Sequence, residues 1–254
     1  MADRLYLSLW YPNFRLETLP AALAGVLHQF ALVGGKRVSA ASAFPINFAE
    51  PPIYQRIYVV DDNAPQVEQL AQINPASEST DELIDAAVAE ATEQLHEDMA
   101  YEFEMHWQLW TREGQEPAFS PDAVDYDTDD EDEADLNATA PDPAWHLRTH
   151  TIRVLGFGPS FDVTGYEQNG HLLIDFGLDT PWVPEPLHPA PSLKALAETG
   201  LDETAQIHIQ QNIEKLLAFT LLIEKNCGIS SRLLWTESGE PLADKLIARL
   251  QRVH

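Results

Sequence analysis

Ten consecutive residues, Tyr101 to Trp110, alternate without a break. Tyr101, Phe103, Met105, Trp107 and Leu109 fall on one side, and Glu102, Glu104, His106, Gln108 and Trp110 on the other. A period of two over this length predicts a strand with one face in a core and one face wet or against a partner. A strand so long and so aromatic is a liability if left bare, so it calls for a covering layer and for neighbours along its edges.

The residues before it supply candidates. Leu5, Leu7 and Leu9 alternate with Tyr6, Ser8 and Trp10, which predicts a first strand ended by Tyr11-Pro12-Asn13. Leu19, Leu23, Val26, Leu27 and Phe30 recur at helical spacing until Gly34-Gly35. Arg37 to Phe48 reads as extended with a break at Pro45, and Ile53 to Val60 as another strand. Ile84, Val88, Ala91 and Leu95 make one stripe of a helix that Ser79 or Thr80 can cap. The element order β-α-β-β-α-β is that of the ferredoxin-like fold.

Beyond it, Trp145 to Phe157 and His171 to Phe176 read as two strands of a hairpin with a long connection. Five prolines between 179 and 191 predict an irregular connector. A long helix follows, about Glu203 to Lys225, with Ile209, Ile213, Leu216, Leu217, Thr220 and Ile223 as its stripe. Ser231 to Thr236 reads as a short strand, and Pro241 opens a last helix with Leu242, Leu246, Ile247 and Leu250 inward. The expectation is an α+β protein of two packed subdomains. Residues 1–112 form a ferredoxin-like βαββαβ unit and 144–254 a ββαβα unit, with an acidic linker, 113–143, between them. Leu7 to Phe14 echoes Val154 to Phe161 in its strand-aromatic-Pro-polar-Phe pattern, too short a likeness to establish a duplication.

Charge divides the chain differently. From Ile57 to Leu147 there are 25 acids and one base, Arg112, while the other 163 residues hold 16 acids and 14 bases. The net charge of −26 therefore lies almost wholly in the middle third. Such a local field suits a basic protein partner and repels bare nucleic acid and anionic membranes. Residues 113 to 143, with the run Asp125 to Asp135 at their centre, are too charged and too poor in large apolar side chains to form a core. The lone Cys227 excludes an intrachain disulfide and fits a reducing compartment, hence a cytoplasmic protein. No apolar run approaches about 18 residues, which excludes a transmembrane helix.

The chemical motifs are sparse. Asp125, Asp127 and Asp129 have the opening spacing of a calcium loop, but Asp130 stands where glycine is required and Leu136 where a bidentate Glu is required. His146, Arg148 and His150 share one strand face, and with His171 and Asp175 on the next strand they could make a metal or acid–base site. Their spacing matches no recognised metal motif, so a polar sheet face is the plainer reading. Glu102, Glu104 and His106 form a similar row. Cys227 sits at a helix C-terminus, which disfavours a thiolate. Neither a nucleotide-binding glycine loop nor a nucleophile elbow is completed, and no cofactor is implied.

Three readings follow. A non-catalytic binding or adaptor protein with an anionic surface fits best. The first alternative is a metal-assisted hydrolase or other small-molecule enzyme using His146, His150, His171 and Asp175. The second is an acidic nucleic-acid mimic binding a basic protein. Oligomeric state is left open by the sequence.

Overall fold

The computed structural model describes residues 2–34, 38–45, 51–58, 80–112, 145–161, 170–183 and 203–239, together with Leu242 and Asp244. Among them the element order is β1 (Arg4–Trp10), α1 (Leu19–Gly34), β2 (Val38–Pro45), β3 (Tyr54–Ile57), α2 (Thr80–Ala91), β4 (Met99–Arg112), β5 (Trp145–Phe157), β6 (Leu172–Leu178), α3 (Glu203–Asn226) and β7 (Ser231–Thr236). The fold is α+β. The seven strands make one sheet in the order β3-β2-β4-β5-β6-β1-β7, and every neighbouring pair is antiparallel.

The ferredoxin-like order expected of the first four strands is not seen. β1 is parted from β4 by β5 and β6, and its two neighbours, β6 and β7, both come from the second half of the chain. The physical reason lies in β4. Its register with β5 runs from Ala100 opposite Phe157 to Arg112 opposite Trp145, and this long pairing takes the place beside β4 that a βαββαβ sheet reserves for a first-half strand. Strands of both halves thus interleave in one sheet. The acidic segment 113–143, the proline-rich connector after Val183 and most of the last predicted helix lie outside the described residues.

The helices pack on one face of this sheet. Leu19, Leu23, Val26, Leu27 and Phe30 of α1 are all buried, as the helical spacing predicts, and they join Leu5, Leu7, Leu9, Phe103, Trp107, Ile152, Val154 and Ile174 in one core. Ile84, Ala87, Val88 and Ala91 of α2 and Leu216, Phe219 and Ile223 of α3 complete it. Leu217, expected inward, is half exposed, and Phe219 takes its place. The long spacing of α3 puts Phe219, not Leu217, on the line through Leu216 and Ile223. Phe219 meets Phe30 edge-on at 5.3 Å and Trp107 at 5.9 Å, a geometry that aromatic quadrupoles favour.

One helix departs from the expectation that no segment has the length and apolar character of a membrane span. Leu16–Gly34 is long and apolar enough by composition to cross a membrane, with a mean hydropathy of 1.4. Here its apolar stripe lies against the sheet and the other helices.

Among the described residues the opposite face of the sheet meets a helix at Trp110 and Trp145, whose rings lie against His208 of α3. It carries the other half of each alternation: Arg4, Tyr6 and Ser8 on β1, Glu102 and Glu104 on β4, Arg153 on β5 and Asp175 on β6.

Candidate functional site

The four candidate residues do not converge. His150 lies on the core face of β5, opposite Trp107 of β4. Its Nε2 is 2.8 Å from Thr111 Oγ1, and both residues are buried. Burial first, and the nearby Arg148 guanidinium second, push its pKa down to about 4, so the ring is neutral. His146 shares this face but is exposed, four residues or roughly 13 Å up the strand.

His171 stands at the far end of β5, where its carbonyl accepts a hydrogen bond from the N–H of Phe157. Seven strand residues separate Phe157 from His150, roughly 23 Å. His171 Nδ1 accepts from the backbone N–H of Tyr11 at 2.9 Å, and its ring stacks on Phe14 at 4.3 Å. Burial lowers its pKa too. Asp175 is opposite Arg153, on the other face of the sheet from His150. One of its oxygens accepts from Arg4 Nη2 at 2.5 Å and the other from the N–H of Gly177 at 2.9 Å. Each of His150, His171 and Asp175 is thus committed to a structural contact. Among the described residues no group of three or more His, Cys, Asp or Glu side chains is placed to hold a metal ion.

The row Glu102, Glu104 proves to be part of a charge ladder across four strands. Arg153 Nε is 3.3 Å from Glu104 Oε1 and 3.9 Å from Glu102 Oε1, and Arg153 faces Asp175, which pairs with Arg4. Signs alternate from strand to strand, which fixes register as well as neutralising the face. Burial raises the Glu102 pKa; Arg153 opposes the rise, while Glu104 and Asp175 add to it. Beside Arg4, Tyr6 lies 4.7 Å from the Trp235 ring, and Trp235 Nε1 donates to Ser8 Oγ.

Outside the sheet, the described carboxylates of the acidic third lie on α2 and its following turn. Asp81, Glu82, Asp85, Glu90, Glu93, Glu97 and Asp98 are all exposed there, and no Lys or Arg occurs between Thr80 and Thr111. The helix is fixed from below by its buried stripe. From the sides, His28 of α1 is 3.0 Å from Asp85, and Glu90 accepts from Tyr54 and Arg56 of β3. Cys227 faces Gly25 of α1, and burial pushes its thiol up to about 11. This is an inert environment, as its place after a helix suggested.

One arrangement has no counterpart in the expectations. β2 pairs with β4 only as far as Val38 opposite Met105, so β4 runs on to Arg112 without that neighbour among the described residues. α3 takes over. Asn212 Oδ1 accepts from the N–H of Trp110 at 3.0 Å, and its Nδ2 donates to the carbonyl of Trp110 at 2.9 Å and to that of Pro181 at 2.9 Å. Lys215 Nζ donates to the carbonyl of Gln108 at 2.8 Å, and His208 stacks on the Trp110 ring at 3.9 Å. Residues 208, 212 and 215 share one helix face. The sequence held one signal: Asn212 interrupts an apolar stripe, with Ile209 before it and Leu216 after it, and a buried amide needs partners.

No family model, no curated protein and no solved structure matches this chain.

Proposed function

We propose that the protein is a non-catalytic binding or adaptor protein of the cytoplasm, which presents a fixed anionic surface to a basic protein partner. The observation that carries the reading is α2 with its turn. Four exposed carboxylates ride on a helix held from beneath by Ile84, Ala87, Val88 and Ala91, and three more follow in the turn after it. A charged surface selects partners only if its charges keep their places, and these are set on a packed element. The dispersal of His146, His150, His171 and Asp175 over two faces and both ends of the sheet supports the hydrolase alternative less.

The test is capture of a partner from native lysate at low salt and at about 0.5 M salt, where exposed charges are screened. The bait is the full chain, alone and with Asp81→Asn, Glu82→Gln and Glu93→Gln together. A basic protein retained at low salt and lost with the triple variant supports the reading. No partner, or one held equally by the triple variant at high salt, removes it.

The rigidity of α2 also favours a narrower version, in which the partner's basic groove ordinarily holds nucleic acid. Mimicry of phosphates needs charges on a stiff framework, which α2 supplies. Competition between this protein and duplex DNA for the captured partner decides between the two versions.

A further inference from the structure

We infer that the outer face of α3, with α1 beside it, is an interface between two copies of this chain, which pack α3 against α3 antiparallel about a two-fold axis. The inference is independent of the anionic surface of α2, and either can fail without the other.

α3 carries apolar side chains on its outward side as well as its inward one. Asn212, Leu216, Phe219 and Ile223 are buried. On the opposite side of the helix Glu214, Ala218, Leu221 and Lys225 are all exposed, with Leu217 next to them. Leu217 is 50% exposed and Leu221 58%. On α1, Leu32 is 72% exposed, one turn beyond Gln29, whose side chain accepts a hydrogen bond from Asn226 of α3. Single exposed leucines are ordinary on a protein surface, but a group of them on two neighbouring helices marks an interaction surface.

Charge and spacing narrow the occupant to a second copy. α1 has no Asp, Glu, Lys or Arg, and α3 has three acids and two bases, in a chain of net charge −26. Two copies of so acidic a chain repel each other, and this nearly neutral face is where they approach at least cost. The outward stripe of α3 is also complementary to itself. Glu214, Ala218, Leu221 and Lys225 are spaced by four, three and four residues, an order that reads the same from either end. A two-fold axis midway between Ala218 and Leu221 sets Leu221 against Ala218, large against small, and Glu214 against Lys225, each contact made twice. Gln210 donates to Oε1 of Glu214 and holds this carboxylate on the stripe, while Glu224 is engaged by Arg232 at 2.8 Å. The two helices are roughly 36 and 24 Å long and about 10 Å across, a footprint on the order of 600 Å2 against ~800 Å2 per partner in a standard interface.

Sedimentation velocity on the full chain tests this, from about 1 to 100 μM, the range in which an interface of this size associates. The expected species has twice the 28.4 kDa of one chain. Leu221→Glu changes an exposed position and keeps the fold, as circular dichroism verifies, but weakens dimerisation at least ~10-fold. Glu214→Lys sets lysine against Lys225 and weakens it by ~10-fold, although the lower net charge would tighten any association limited by overall repulsion. Adding Lys225→Glu exchanges the ends of the pair and returns the affinity to within ~3-fold of wild type. A chain monomeric throughout the range, including one that floats instead with phosphatidylcholine vesicles, overturns the inference. So does a dimer indifferent to Leu221→Glu, or a double variant that associates no better than Glu214→Lys.

Discussion

His150 Nε2 lies 2.8 Å from Thr111 Oγ1 across the β4–β5 ladder, and the ring has almost no contact with water. Burial holds its pKa near 4 against an ordinary value of 6.5. In the unfolded chain the ring takes a proton as pH falls through 6.5, whereas the folded chain resists until about 4. The contribution of neutral His150 is thus present above pH 6.5 and lost progressively between 6.5 and 4. The loss should be about 3 kcal/mol. Urea unfolding across this window should show a steeper loss of stability for wild type than for His150→Gln, which still carries the contribution of His171. Parallel slopes would refute the assignment.

Asn212→Ala removes the partners of three backbone groups, two on Trp110 and one on Pro181. Leaving buried donors and acceptors unpaired costs about 1–3 kcal/mol each before relaxation, so a total of about 3 kcal/mol is expected. Asn212→Asp keeps the acceptor for the N–H of Trp110, loses both donors and buries a charge, and should be at least as harmful. Chemical denaturation of the two variants measures this, and an Asp variant as stable as wild type would contradict the hydrogen-bond assignment.

Within the charge ladder, Arg153 is the member whose loss should be felt. Arg153→Ala leaves Glu102, Glu104 and Asp175 facing one another across three strands, at a cost of about 1 kcal/mol that added salt reduces. Glu102→Gln should do the opposite at neutral pH. Its carboxylate is disfavoured by burial and by two like charges, so neutralising it leaves the melting temperature unchanged or raises it slightly. Melting curves at low and high salt check both expectations.

Gly158 and Gly177 should respond to alanine for different reasons. A Cβ at Gly158 would stand 2.3 Å from the carbonyl oxygen of Glu97 and 2.6 Å from that of His96, so backbone must move. A loss of about 3 kcal/mol is expected, in the range of overpacked sites. At Gly177 nothing lies within 4 Å, but φ is +76°, and the cost should be only about 1 kcal/mol. Reversal of this order in thermal unfolding would mean that the turn after Phe157 is looser than described.

The Cys227 thiol, held near 11 by burial, should alkylate at pH 8 at least ~100-fold more slowly than a free thiol. Labelling at the free-thiol rate would show that the end of α3 separates from α1.

Local pattern was legible in the sequence wherever a single face decided it. The alternation of β4 came out residue for residue, as did the five buried positions of α1, because each depends only on which side of an element meets the core. Strand order was not legible. Nothing near Leu5 says that its strand pairs with Thr236 rather than with β4, since such pairing is settled by register across the whole sheet. The separation of His150 from Asp175 was illegible for a related reason. His150 and Asp175 lie on strands that pair only over Arg153 to Gly156, and parity puts them on opposite faces. The α3–β4 contact depends on where β2 stops, which no local pattern records.

The place of β1 has a consequence for the order of assembly. Its partners lie far along the chain: Arg4 meets Asp175 across 171 residues, and Ser8 meets Trp235 across 227. On a ribosome, Leu5, Leu7 and Leu9 emerge before the other six described strands and stay unpaired until β6 and β7 are made. Hairpin pairs such as β4 with β5 can close meanwhile, but β1 finds its first partner only when β6 is made, and its outer edge is covered only when β7 arrives. Folding should therefore be slow for a domain of this size and dependent on shielding of the first strand, since distant contacts must meet before their gain is felt.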